Sequence, residues 1–283
     1  MLFGEFAALY RFDLNSEEAF RIHDAKRIDG EIDVVVGVST GGKIALFQPF
    51  DIEKRLLFIA YTAKGSLIGK IPTKSILGAD SVTFCNAGDR LAFWEQGRVF
   101  IWSQSTPDER PIPNAELEIL NAAMADDGES VAVLLKGGVL RSLNTESGDT
   151  TWEVSRTPRN RKQLRFCNNQ NTICVIGNDL QGFDAKTGDL KFSLKLPDKG
   201  KFNFRVPIAV SDQGRVLAIC SEHNIFLVDS KTGGLFGTVG QPLYNPRKLT
   251  LSPNGKLLFA VNESAGSVTT FRWDLSDIIP DAE

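Results

Sequence analysis

The chain has 283 residues, 42% of them hydrophobic and 24% charged, with a formal net charge of −3. That composition excludes a disordered or collagen-like chain, and the charge excludes a binder that is basic throughout. With 25 Gly, 19 Phe, 2 Met and 2 His it suits short strands and tight turns better than long helices, although the length alone suggests two domains at about 150 residues each.

The first predicted element is a strand at Phe6-Ala7-Ala8-Leu9-Tyr10-Arg11-Phe12. The start of the chain has no positive n-region, and Glu5 interrupts its apolar stretch, so no secretory signal is read there. Ser16 is placed to cap a short helix whose first turn carries Glu17 and Glu18. A unit of strand, tight turn and strand then begins at Val38–Leu46 and recurs at Thr83–Phe93, Ala123–Val133, Arg165–Val175, Ala209–Ala218 and Leu249–Val261. Its landmark is the turn residue Gly42, Gly88, Gly128, Gly214 or Gly255, with Gln170 in the fifth copy in place of glycine. The five intervals average 42.6 residues. A short turn of this kind needs a left-handed backbone position, which glycine supplies without strain. Each unit continues into a second hairpin. Three of these close on related turns, Asn144-Thr-Glu-Ser-Gly148, Asp184-Ala-Lys-Thr-Gly188 and Asp229-Ser-Lys-Thr-Gly233. Four short strands in about 40 residues, repeated, are the pattern of an all-β propeller with one blade per repeat. Phe84, Phe166, Val210 and Leu251 fall on first strands as expected core. Trp94 and Trp102 are expected to pack between blades.

The Ser252-Pro-Asn-Gly-Lys256 turn and the pair Trp273-Asp274 resemble WD-repeat propellers, and the Asp-x-x-Thr-Gly turns resemble those of quinoprotein-type propellers. The resemblance spans residues 32–275 and speaks for architecture. The Gly-His dipeptide common in WD repeats is absent, so the Asp-His network of those repeats is missing or replaced. The quinone enzymes that the second resemblance brings in are larger and exported, often with adjacent cysteines, and no quinone or other cofactor is expected here.

Passing from Gly255 through both termini to Gly42 takes 69 residues, between one period and two. Only ten residues follow Trp273, so a fourth strand for the last blade has to come from elsewhere. The favoured closure is therefore six blades in one domain over residues 1–283. Residues 1–31 supply the closing strand and a connection, 32–275 the repeats, and 276–283 a tail. A degenerate seventh blade from residues 1–31 is the alternative.

Chemistry is sparse. His23 and His223 are the two histidines, and His223 sits in the turn Glu222-His223-Asn224. No nucleophile elbow, phosphate loop or zinc motif occurs, and the glycines of Ser39-Thr-Gly-Gly-Lys43 are explained by the repeat turn. Residues 252–271, with Asn262-Glu263-Ser264-Ala265-Gly266, look like a repeat of propeller lactonases, which makes a hydrolase of that type the alternative function. Cys85, Cys167, Cys174 and Cys220 lack metal-site spacing and read as reduced, mostly buried thiols of a cytoplasmic protein. No apolar run is long enough to span a membrane as a helix.

Charge is distributed unevenly over the loops. In a propeller, loops between blades share one face with those joining strands two and three. Three consecutive between-blade loops are basic. The first carries Arg156, Arg159, Arg161 and Lys162. The second carries Lys199, Lys201, Phe202, Phe204 and Arg205, and the third Tyr244, Arg247 and Lys248. Together they hold nine positive residues and one acid, Asp198. The other face is expected to carry Asp126, Asp127, Glu129, Glu146, Asp149, Asp189 and Asp212. Arginine forks suit carboxylate or phosphate. The expected function is a non-catalytic scaffold that binds an acidic or phosphorylated protein segment through this basic face, with RNA a less favoured partner.

Overall fold

The computed structural model describes residues 2–5, 8–12, 19–24, 33–38, 44–49, 56–61, 67–73, 82–85, 89–105, 110–111, 118–155, 157, 163–167, 169–177, 179–196, 208–211, 214–221, 224–240, 248–264 and 267–280. These form seven antiparallel sheets. The first has three strands, β1 (Leu2–Glu5), β2 (Ala8–Phe12) and β3 (Ala19–Asp24). Five four-stranded sheets follow. The first contains β4 (Asp33–Val38), β5 (Ile44–Pro49), β6 (Leu56–Tyr61) and β7 (Leu67–Pro72). The second contains β8 (Val82–Phe84), β9 (Arg90–Glu95), β10 (Arg98–Ser103) and β11 (Arg110–Pro111). The third contains β12 (Ile119–Met124), β13 (Ser130–Leu135), β14 (Leu140–Asn144) and β15 (Thr150–Val154). Next come β16 (Gln163–Cys167), β17 (Thr172–Ile176), β18 (Asp179–Asp184) and β19 (Leu190–Lys195), then β20 (Ile208–Val210), β21 (Val216–Cys220), β22 (Asn224–Asp229) and β23 (Leu235–Gly240). The last sheet has β24 (Lys248–Leu251), β25 (Leu257–Ser264) and β26 (Ser267–Asp274). Contacts divide the chain into two compact units, residues 1–135 with 143–150, and residues 136–142 with 151–283.

All six sequence repeats are hairpins of the first two strands of a sheet. The seventh sheet is the N-terminal one. The segment expected to complete the last blade contains β2, which pairs with β1 along one edge and β3 along the other. A strand in the middle of its own sheet has no edge left to offer another. Ser16, expected to cap a helix, lies outside the described residues, and Ala19 begins β3.

The landmark turns are built alike. Gly128, Gly214 and Gly255 have φ of 71°, 67° and 74°. Their N–H groups donate to Ala125, Ser211 and Ser252 at 2.9, 2.7 and 2.8 Å. The residue opening the turn also receives the N–H five residues on: Ser211 Oγ from Val216 at 3.1 Å, Ser252 Oγ from Leu257 at 2.8 Å, and Cys85 Sγ from Arg90 at 3.3 Å. Cys85 is thus the thiol version of a serine cap. Gln170 takes the left-handed position without being glycine, at φ 67°, and Asn169 beside it has φ 49°. Gln170→Gly is expected to stabilise the protein by about 0.5–1 kcal/mol, read as a higher urea midpoint at unchanged slope.

The second turns share a side-chain scaffold. Asn144 Oδ1 accepts from the N–H groups of Glu146 and Ser147 at 2.8 and 2.9 Å. Asp184 Oδ1 accepts from Lys186 and Thr187 at 2.9 and 3.1 Å, and Asp229 Oδ1 from Lys231 and Thr232 at 2.7 and 3.4 Å. The hydroxyl three residues after the Asx then receives the N–H two further on: Ser147 from Asp149, Thr187 from Asp189, Thr232 from Gly234. The Asp-x-x-Thr-Gly pattern is therefore a turn in which side chains substitute for ladder partners. The turn at the end of β26 begins the same way, with Asp274 Oδ1 accepting from Ser276 N at 3.0 Å.

Glycine at these turns also admits a neighbouring sheet. A Cβ on Gly188 (φ +78°) would stand 2.6 Å from the Trp152 ring of the preceding sheet, and one on Gly233 (φ +74°) 2.4 Å from the Phe192 ring. The Trp152 indole N–H donates to the Ala185 carbonyl at 2.9 Å. In the other unit, a Cβ on Gly128 would stand 2.6 Å from the Arg90 side chain, whose Nη1 donates to the Gly128 carbonyl at 3.2 Å. Each outer-strand aromatic or second-strand side chain thus seats under the turn glycine of the next sheet.

The core lies in the second strands more than the first. Every residue of β17 and β21 is buried, as are all of β13 after Ser130. An inner strand covered on both faces reads as a continuous apolar run. Leu251 is buried as expected, whereas Phe84, Phe166 and Val210 are half-buried; on the strands of the last two, Leu164, Cys167 and Ala209 take the buried positions. Trp102 is fully buried with Leu46, Ile71, Leu91 and Phe93, residues of two consecutive sheets, while Trp94 is half-buried. The expected tail is anchored: Leu275 and Ile279 are buried with β20–β26 side chains, and Ile278 Cγ2 sits 2.8 Å from the Cβ position of Gly237.

Candidate partner-binding face

The strand order fixes which loops share an end of each sheet. The first and third turns are tied together at one end. Thr145 Oγ1, after β14, donates to the Gly128 carbonyl at 2.8 Å, and Ser230 Oγ donates to the Gly214 carbonyl. The segments joining consecutive sheets leave from the other end, with the loops between second and third strands. Thr157 marks it: its N–H, in the β15–β16 connection, donates to the Gly138 carbonyl in the β13–β14 loop at 3.1 Å. The basic residues lie on the β15–β16, β19–β20 and β23–β24 connections. Lys248 opens β24, opposite Val261. Arg156, Arg159, Arg161, Lys162, Lys199, Lys201, Phe202, Phe204, Arg205, Tyr244 and Arg247 lie outside the described residues.

At the same end Arg141 reaches across to Glu153, donating to Oε2 from Nε at 2.8 Å and from Nη2 at 2.5 Å. This pair was not singled out in the sequence, where only the β14–β15 pairing relates the two positions. Half-exposed, it contributes about 0.2–1 kcal/mol. Its effect at this end is to set one acid against one base.

The turn end carries Asp127, Glu129, Glu146, Asp149 and Asp189 exposed and Asp126 half-buried. Asp212 lies outside the described residues. The acidic bias is strongest on the β12–β15 sheet. Lys186, Lys231 and Lys256 dilute it on the later ones, so the contrast between ends is weaker than loop counting alone implies.

Several acids here are structural. The Lys186 N–H, followed by that of Thr187 and the Lys191 ammonium 3.4 Å away, holds the Asp184 carboxyl below the usual carboxylate range. A lowered folded value means this contribution is present above the ordinary carboxylate pKa and is lost as the pH falls below about 4. Asp184→Ala is expected to cost about 1 kcal/mol at neutral pH. Asp184→Asn, which keeps the accepting oxygen as Asn144 does, is expected to cost less and to flatten the acid limb of the stability profile.

Of the residues considered for chemistry, His23 is in β3 and His223 lies outside the described residues. The segment resembling a lactonase repeat forms the β25–β26 hairpin, with Asn262 opposite Thr269 and Glu263 opposite Val268. Among the described residues no three His, Cys, Asp or Glu side chains are grouped to hold a metal. None of the four cysteines is in a disulfide, and all four are buried. Burial pushes the Cys220 thiol up to about 12. Contact with Cys167, then burial, raises Cys174.

The fold these sheets build is that of WD40 β-propellers. The chain is similar to the β-propeller domain of Cps50 (Swd1) from Myceliophteria thermophila, with a TM-score of 0.72 at 12% identity over 97% of this chain and 93% of that one. It is also similar to a chain of the mitotic checkpoint complex, with a TM-score of 0.68 at 12% identity over 95% of this chain and 81% of that one. No family model matches the sequence, and no curated protein matches it. With 1739 solved chains alike in fold, the likeness defines an architecture that hosts many functions.

Proposed function

We propose that this chain is a non-catalytic β-propeller scaffold of the cytoplasm that brings proteins together, and that the basic connections after β15, β19 and β23 bind an acidic or phosphorylated segment of a partner. The observation that carries the reading is the propeller fold over nearly the whole chain, a fold found in an assembly such as the mitotic checkpoint complex. The specific face is supported by eight positive residues against one acid on three successive connections between sheets, with Lys248 opening the strand after the third. The same reading takes each of the seven sheets as one blade, in place of the six expected from the repeats. The test is binding of a labelled oligo-glutamate and of a phosphopeptide across a salt series. Affinity that falls steeply with salt supports the basic face. Absence of binding to both at low salt contradicts it.

A further inference from the structure

The outer edges of the sheets differ in one respect. An edge strand offers unpaired N–H and C=O groups to any other strand, and charges or proline on it discourage that pairing. The outermost strand of each four-stranded sheet but one carries such a residue. β7 has Lys70 and Pro72, β11 is Arg110-Pro111, β15 has Glu153, and β19 has Lys191 and Lys195. The outer strand of the last sheet, β26, has Arg272 and Asp274. β23, Leu235-Phe-Gly-Thr-Val-Gly240, has no charge and no proline. Among the described residues it pairs with β22 alone. Leu235 is 44% exposed, one of three large apolar residues so exposed among the described residues. Thr238 and Gly240 are exposed as well, and nothing lies within 4 Å of a Cβ position on Gly240.

The same strand is complementary to itself. When two copies pair antiparallel about a two-fold axis through Thr238, Thr238 faces Thr238, Val239 faces Gly237, and Phe236 faces Gly240. Larger residues oppose glycines, a threonine pair sits at the dyad, and no residue of β23 itself is charged. We infer that the outer edge of β23 pairs with the β23 edge of a second copy of this chain, joining two sheets into one across the dyad. Six residues a side bury far less than the roughly 1,200 Å² of a stable complex, so the dimer is weak and forms at high concentration.

The test is sedimentation equilibrium from about 10 µM to about 1 mM protein, a range that spans weak association. The expected result is a mean mass that climbs toward twice the monomer in the wild type and in Thr238→Val, and stays at the monomer in Thr238→Lys, which sets two ammonium groups face to face at the dyad. Thr238 is exposed, so the lysine variant keeps the monomer fold. A wild type that remains monomeric throughout, or a Thr238→Lys variant that associates like the wild type, overturns the inference.

Discussion

Trp152→Ala is expected to lower stability by about 3–5 kcal/mol, a large share of the roughly 5–15 kcal/mol that holds a folded domain. The indole lies on β15, 9% exposed, and roofs the Gly188 turn of the next sheet. Its removal opens a cavity between two sheets and leaves the Ala185 carbonyl without its indole donor. Gly188→Ala attacks the same contact from the other side. It puts a methyl 2.6 Å from the ring and forces alanine to φ +78°, at a combined cost of about 2–4 kcal/mol. The two effects separate in the double variant. With Trp152 already alanine, Gly188→Ala should cost only its backbone strain, about 1 kcal/mol, and the two losses should fall short of their sum. Urea unfolding of the four proteins measures this. Strictly additive losses would show that turn and tryptophan do not act together.

Arg159→Glu with Arg161→Glu is expected to weaken binding of an acidic probe about tenfold or more at low salt. Each reversal removes one attraction of about 0.2–1 kcal/mol and installs a repulsion of similar size. The loss should shrink as salt rises, because the missing interactions are the ones salt screens. The comparison is the slope of log affinity on log salt, which should be shallower in the variant. An unchanged slope would mean that these arginines do not face the probe.

The legible part of the fold was the part written in backbone chemistry. The first turns need φ > 0, so glycine marks them, and even Gln170 was placed because its flanking strands kept the pattern. The N-terminal sheet was read only as the alternative, a degenerate seventh blade from residues 1–31, because Phe6-Ala7, between β1 and β2 in sequence, is not a turn-marking pair. The surplus length around the termini pointed to it, but one strand satisfied the arithmetic as well as three. Locks such as Trp152 on Gly188 join residues in successive repeats, and spacing within one repeat cannot show which aromatic covers which turn. Burial of Phe166 and Val210 was overrated because an apolar run does not say which of its residues face the core, and here Leu164, Cys167 and Ala209 do. On the candidate face, the sign of the charge was readable from composition. The pairing of Arg141 with Glu153 needed the folded sheet.

The central claim is that this propeller works by holding an acidic partner on its basic connections. Affinity capture from the native source, with wild type and the Arg159→Glu, Arg161→Glu variant run side by side and quantified by mass spectrometry, tests it most directly. The account predicts a small set of proteins with acidic or phosphorylated segments, retained by the wild type, released by moderate salt and depleted on the variant. An identical set of retained proteins on both baits would contradict it.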